Sequence, residues 1–219
     1  MPCYHPIRGY RSKDVNPSTG RRSIVFNKKN GYEDRPVDIR CGQCIGCRLD
    51  RSKEWAVRCW HEASLYDENC FITLTYRNED LPHPPSVDVR AFQLFMKRLR
   101  KKYAPKKIRF FHCGEYGDDN NRPHYHAILF NHDFGDKVLW RKSSSGDPLY
   151  TSSELAELWP FGFSSIGQAS YQSAAYVARY IMKKVTGEPA ETHYDWVDPV
   201  TGEIHGLRPE YVKIGRAHV

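Results

Sequence analysis

Apolar and polar positions change period along this chain, and each change predicts an element. Phe71-Ile-Thr-Leu-Thr-Tyr76 is rich in β-formers and predicts a strand. Phe71, Thr73 and Thr75 would share one face, Ile72, Leu74 and Tyr76 the other. Val89, Phe92, Met96, Leu99 and Tyr103 recur at helical spacing and predict a helix over 87–103. Residues 108–113 and the apolar run ending at Phe130 read as two strands, joined by the turn-rich Gly117-Asp118-Asp119-Asn120-Asn121. Thr151-Ser-Ser-Glu154 has the form of a capping box for a short helix ending at Trp159-Pro160. A fourth strand is expected over 161–167 and a further helix over 170–185. Upstream, Leu49, Ala56, Cys59, Trp60 and Ala63 mark an amphipathic helix over 48–66. Residues 1–40 hold few apolar residues; turn signals at Asn16–Gly20 and Asn30-Gly31 flank a short strand over 23–26.

From Phe71 the order is strand, helix, strand, strand, helix, strand. That is the split βαβ pattern: an α+β, ferredoxin-like antiparallel sheet with helices on one face. An irregular cysteine-rich segment over 1–47 precedes this domain, which is expected to span 48–213. Hydrophobic residues make up 40% of the 219 and charged residues 27%, enough for a packed core. There is no cleavable-leader pattern and no apolar run near the ~18 residues of a membrane span, so a cytoplasmic protein with no membrane partner is expected. The net charge of +7 favours polyanionic partners. Lys97, Arg98, Arg100, Lys101 and Lys102 do not add to that case, because cations at a helix C-terminus are favourable anyway.

The seven cysteines are an odd number, which with no leader suits reduced thiols or metal ligands better than disulfides. Cys41-Gly-Gln-Cys44-Ile-Gly-Cys47 has the tight spacing that grips zinc. A fourth ligand would come from Cys3 or His5; Cys59 falls inside the next predicted helix. The alternatives are simple reduced thiols and, less favoured because the local run lacks a fourth ligand, an iron-sulfur cluster.

His124 and His126 flank Tyr125 at the start of an apolar strand, so both imidazoles would project to one face. The hairpin would bring Glu115 back toward them and complete a metal site of His124, His126 and Glu115. A single His-x-His is common by chance; a second constellation raises its weight. On the helix over 170–185, Tyr176 and Tyr180 lie about 40° apart, and Lys183 falls about 20° to the other side of Tyr176. Tyrosines alone would suit a core face, but a lysine on the same stripe suits a face open to a phosphate. A metal would polarise a phosphodiester, a tyrosine hydroxyl would attack phosphorus, and Lys183 would stabilise the developing charge.

Phe71-Ile-Thr-Leu-Thr-Tyr76, Arg122-Pro-His-Tyr-His-Ala-Ile-Leu-Phe130 and Tyr176-Val-Ala-Arg-Tyr180-Ile-Met-Lys183 occur in that order, and together the chain resembles the HUH endonucleases. Within that superfamily it is most similar to the replication initiators of gokushovirus-type microviruses, small single-stranded DNA phages. The opening Met-Pro-Cys-Tyr-His-Pro and the cysteine run resemble the same branch, and the likeness covers about residues 1–213. It departs at Tyr125, where many relatives carry an aliphatic residue, and at Arg179, where a lysine is frequent. The resemblance implies a rolling-circle initiator that nicks single-stranded origin DNA with Tyr176 or Tyr180, holds the 5′ end as a phosphotyrosine, and later rejoins the strand. It implies Mg²⁺ or Mn²⁺ as cofactor, a bacterial host cytoplasm as location, and host polymerase and helicase as partners. Alternatives are a relaxase or single-strand transposase of the same chemistry, or a non-catalytic, zinc-stapled DNA-binding protein.

The last six residues, Ile214-Gly-Arg-Ala-His-Val219, are what ATC GGA AGA GCA CAC GTC encodes, a string found in a common sequencing-library adapter. Residues 214–219 are therefore expected to be adapter-derived, on an initiator domain cut short at its C-terminus.

Overall fold

The computed structural model describes residues 3–117, 120–185 and 187–215, with the side chains of 181–183, 214 and 215 outside the description. The chain forms two compact units, Met1–Arg51 and Ser52–Val219.

In the first unit, β1 (Ile7–Ser12) pairs antiparallel with both β2 (Ile24–Val25) and β3 (Gly31–Ile39). The Asn16 turn forms as expected: its side chain accepts from the Ser18 amide at 3.0 Å and Gly20 takes φ +64°. Asn30-Gly31 does not turn β2 back against β3 as a hairpin; both strands pair with β1 instead. A 3-10 turn over Lys28–Asn30 leads into β3, and Gly31 has φ −118°. Glycine is needed there for approach, because a Cβ would meet the Tyr10 Cβ at 2.4 Å.

Helix α1 (Ile45–Ala63) begins in the first unit and continues into the second. The second unit then runs β4 (Asn69–Thr75), α2 (Val89–Lys102), β5 (Arg109–Tyr116), β6 (Pro123–Phe130), β7 (Val138–Lys142), β8 (Pro148–Thr151), α3 (Ser153–Leu158), β9 (Ser164–Gln168), α4 (Tyr171–Lys183), α5 (Ala190–His193), β10 (Asp195–Val197), β11 (Ile204–Gly206) and β12 (Tyr211–Gly215). The main sheet is antiparallel throughout, in the order β12-β5-β6-β4-β9-β8-β7; β10 and β11 form a separate hairpin. Its central four strands, β5-β6-β4-β9, have the split βαβ arrangement, with β6 inserted antiparallel between β4 and β5.

The expectation of helices on one face is corrected. Alternation sends Ile72, Leu74, Phe110, Tyr125, Ala127, Leu129 and Ile166 into a core closed by Phe92, Phe95, Met96 and Leu99 of α2 and by Leu155 and Leu158 of α3. The opposite face carries a second core, in which Phe111, Cys113, Ile128 and Phe130 meet Ala56 and Cys59 of α1 and Ala174, Val177 and Ala178 of α4. The reason is in the sequence: Phe110-Phe111 and Ile128-Leu129-Phe130 are continuous apolar runs, and such strands need cover on both sides. Burying each of these large side chains contributes roughly 1.5–3 kcal/mol.

Other boundaries shift for local reasons. The capping box expected at Thr151–Glu154 is replaced by Ser152 as N-cap, accepting from the Leu155 amide at 3.0 Å, with the Asp136 carboxylate taking the Glu154 amide at 2.9 Å. The true capping box is on α4, where Ser170 and Ser173 satisfy each other's amides. The basic end of α2 is partly structural: Arg100 donates to the Ile108 carbonyl, Arg98 to the Leu158 carbonyl, and Lys102 pairs with Glu154 at 2.9 Å. Ile214 and Gly215, assigned by sequence to the adapter-derived tail, pair in β12 with Phe111 and Phe110; residues 216–219 lie outside the described residues.

Candidate active site on the α4 face of the sheet

Register builds the site. In β6 the residues facing α4 are His124, His126, Ile128 and Phe130. His126 is paired with Cys113 of β5 and Thr73 of β4; His124 is paired with Glu115 and Thr75. The turn between β5 and β6 is held by the Gly117 amide on the Arg122 carbonyl at 3.0 Å, while Asp118 and Asp119 of the expected turn lie outside the described residues.

The Glu115 carboxylate reaches diagonally to His126 rather than straight across to His124. Its Oε1 lies 2.9 Å from His126 Nε2, and both side chains are buried, at 5% and 9% exposure. Thr73 Oγ1 lies 3.0 Å from His126 Nδ1, so the ring is held at both nitrogens. Phe71 stacks near it at 5.7 Å and 9°. His124 is set further back. Its ring centroid is 6.5 Å from that of His126, its Nδ1 is buried with no hydrogen-bond partner, and burial followed by the nearby His126 holds its pKa below the usual value.

Helix α4 crosses β12, β5 and β6, and lowers two tyrosines onto the imidazole. Tyr180 lies parallel to His126 at 5.6 Å and 6°, and Tyr176 meets it edge-on at 5.2 Å. The two phenol rings are 5.1 Å apart at 90°. They differ in access: Tyr176 is 38% exposed and Tyr180 only 5%. Burial, then hydrogen bonds with Tyr176 and Glu115, push the Tyr180 hydroxyl far above its usual pKa. Lys183 is in the last turn of α4, and its side chain lies outside the described ones. Tyr125 points the other way, fully buried, with its hydroxyl accepting from the Asp88 amide at 2.9 Å.

The structure therefore brings together Glu115, His126, Tyr176 and Tyr180. His124 stands further off than the other two expected ligands. Among the described residues, two groups have ligand atoms all within 4.8 Å of one another, and His124, His126 and Glu115 are not one of them. The donor types, imidazole and buried carboxylate, do suit a divalent cation, and the unpartnered Nδ1 of His124 fits a ligand not yet engaged. Sequence reasoning missed Thr73 as the group that orients His126, although its place on that face of β4 was readable.

The four cysteines do converge. Cys3, Cys41, Cys44 and Cys47 form one of the two groups, which selects Cys3 over His5 as the fourth member. Backbone amides of Cys41, Cys44 and Tyr4 point at the sulfurs of Cys3, Cys41 and Cys44 at 3.3, 3.3 and 3.4 Å. Amide donation from Cys47 and Tyr4 pulls the Cys44 thiol down to about 6, toward the thiolate that a metal requires. The second group is His83, Asp198 and His205, which no sequence spacing announced.

A protein with this antiparallel sheet and tyrosine helix can be placed by comparison. A family model described as replication-associated protein ORF2/G2P matches residues 69–185, from the first residue of β4 to just past α4, and so contains Glu115, both histidines and both tyrosines. The chain is 34% identical over 222 residues to replication-associated protein VP4 of Bdellovibrio phage phiMH2K, covering 97% of this chain and 68% of that protein. It is 37% identical to replication-associated protein ORF2 of Spiroplasma virus 4 and 36% identical to replication-associated protein ORF4 of Chlamydia phage 1. Each of these alignments covers 67% of this chain, but 48% and 38% of the respective relatives. The chain belongs to the replication-associated protein ORF2/G2P family. No solved structure matches it.

Proposed function

We infer that this chain is the nicking domain of a rolling-circle replication initiator of the HUH type, acting on single-stranded phage DNA in a bacterial host cytoplasm. The observation that carries the reading is the packing of Tyr176 and Tyr180 over His126 and Glu115 on one sheet face. The family's replication-associated relatives and the net charge of +7 support it.

In this reading a tyrosine oxygen attacks the scissile phosphorus. The P–O bond to the upstream sugar breaks, its 3′ oxygen leaves as a hydroxyl, and the 5′ phosphate remains on tyrosine. The more exposed Tyr176 makes the first attack. Tyr180, whose hydroxyl is hydrogen-bonded to Glu115, passes its proton to that carboxylate when it attacks the regenerated origin. Lys183, seven residues beyond Tyr176, stabilises charge on the phosphate. A divalent cation, Mg²⁺ or Mn²⁺, would be held by His126, Glu115 and His124 and would supply Lewis-acid polarisation of the phosphate. Zinc on Cys3, Cys41, Cys44 and Cys47 would be structural, with four thiolates and no open position. The freed 3′ hydroxyl is extended by a host polymerase, with a host helicase opening the duplex.

Beyond the site, Trp140 and Phe163 are both exposed with rings 4.6 Å apart, and the Arg141 guanidinium lies 4.1 Å over Trp140. Paired aromatics and a cation suit stacked bases of a single strand.

The test is a denaturing gel of the full chain with single-stranded origin DNA and Mn²⁺. A covalent protein–DNA band is expected, lost with EDTA and lost completely in Tyr176→Phe/Tyr180→Phe. An adduct that survives the double substitution would overturn the tyrosine mechanism. DNA binding without any adduct would favour the zinc-stapled binding protein.

A further inference from the structure

A second cluster of metal-binding donors is made of residues that the site above does not use. His83 comes from the loop between β4 and α2; Asp198 follows β10, and His205 is on β11. One ligand atom from each lies within 4.8 Å of the others, although His83 and His205 are more than 100 residues apart in sequence.

The cluster is built. Asp198 is nine-tenths buried, at 7% side-chain exposure. Its Oδ1 is fixed by the backbone amides of Val200 at 2.7 Å and Thr201 at 3.3 Å, so Oδ2 is turned toward His83 Nε2 at 3.2 Å. The turn is locked again by the Asp198 amide on the Glu203 carbonyl and the Gly202 amide on the Asp198 carbonyl, both 2.8 Å. His205 is paired across the hairpin with Trp196. Its Nε2 is buried without a hydrogen-bond partner, and the nearest paired carboxylate oxygen, on Glu203, stands 3.7 Å away. An orphaned imidazole nitrogen beside an oriented carboxylate and a second imidazole is costly to bury unless a Lewis acid takes a lone pair from each.

We propose that His83, Asp198 and His205 bind a divalent transition-metal ion of the Zn²⁺ class, with Glu203 available as a fourth donor. Two imidazoles and one carboxylate are a borderline donor set that favours Zn²⁺, Co²⁺ or Ni²⁺ over Mg²⁺. The ion clips the β10–β11 hairpin to the loop that leads into α2. That loop is already anchored near its ends by protein contacts: Arg122 donates to the Tyr76 carbonyl at 2.9 Å, and Arg208 donates to Ser86 at 2.9 Å and pairs with Asp88 at 2.6 Å. His83 lies between those anchors, and the metal would tie it to the hairpin. The proposal does not depend on the nicking mechanism.

The structure supplies its own reporter. The Trp196 ring centroid is 5.5 Å from His83 and 5.8 Å from His205, within quenching range of a paramagnetic ion held between them. The experiment is a Co²⁺ titration of the full chain, read by absorbance and by tryptophan fluorescence. Cobalt on the four cysteines gives an intense near-ultraviolet thiolate charge-transfer band. Cobalt on His83, Asp198 and His205 adds an equivalent with only weak visible bands, together with quenching that is lost in Trp196→Phe. His83→Ala and His205→Ala should each weaken this second event at least about tenfold while the thiolate band stays. His83 has an exposed side chain on a loop, so His83→Ala decides the matter if His205→Ala unfolds. Equal cobalt stoichiometry and equal quenching in wild type and His83→Ala would overturn the proposal. So would a cobalt event in which the thiolate band and all of the quenching rise together.

Discussion

The two faces of the main sheet use neighbouring residues of the same strands for opposite ends. On the α2 face, Tyr125, Ala127 and Leu129 of β6 enter a core of Phe92, Phe95 and Trp159. On the α4 face, His124 and His126 alternate with them and meet Glu115, Thr73 and two tyrosines. The contrast is clearest between two buried imidazoles. His112, on the α2 face, stacks on Phe92 at 3.8 Å, and its Nδ1 has no partner. His126 is held at both nitrogens. One imidazole is packed as an apolar plate; the other is oriented for a task. Stability should therefore live on the first face and activity on the second.

The largest effect should come from the α2 face. Phe95 is fully buried between α2 and the sheet and touches Phe92 and Trp159. Phe95→Ala is expected to cost about 3–5 kcal/mol in urea unfolding. His126→Ala, by contrast, should abolish adduct formation with a much smaller loss of stability. If the two substitutions cost equal stability, the division between faces fails.

Acid should act on the α2 face next. Burial pushes the His112 pKa down to about 3 and that of His132, packed by Tyr103 and Phe134, to about 4. The unfolded chain takes up these protons near 6.5 and the folded chain does not, so both groups leave the fold at full stability above 6.5 and destabilise it as pH falls. His112 alone should remove about 1.4 kcal/mol per pH unit between about 6.5 and 3. Urea unfolding at pH 7 and 5 measures this. His112→Leu should lessen the difference by about 2 kcal/mol, and an unchanged difference would mean His112 has another partner for its proton.

Much of this contrast was legible in the sequence because it follows from period. Alternation in β4 and β6 separated Thr73 from Leu74 and His126 from Tyr125, and the spacing of Tyr176 and Tyr180 put both phenols on one side of α4. What escaped was set by long-range pairing. Strand β7 is short and exposed throughout, and β12 and the β10–β11 hairpin carry no apolar run of their own. They are strands because partners lie beside them. The cover on both faces was missed because a continuous apolar run was read as one strand face. His83, Asp198 and His205 share no spacing at all; only the folded hairpin makes them neighbours.

The smallest effect is the most discriminating, because it lies one residue from His124 and from His126. The Tyr125 hydroxyl accepts from the Asp88 amide at 2.9 Å and lies 3.2 Å from the Tyr76 hydroxyl. Asp88 in turn caps α2 by accepting from the Arg90 amide at 3.0 Å. Tyr125→Phe keeps the ring in the core and leaves the Asp88 amide without its acceptor. The expected cost is about 1–2 kcal/mol, seen as a fall in Tm of roughly 2–8 °C. Because the lost hydroxyl points into the α2 core, the rate of adduct formation at a temperature where the variant is folded should match wild type. A rate that fell while Tm held would mean that Tyr125 positions His124 and His126 through the strand. The two faces would then be coupled, and the residue between the histidines would be part of the site.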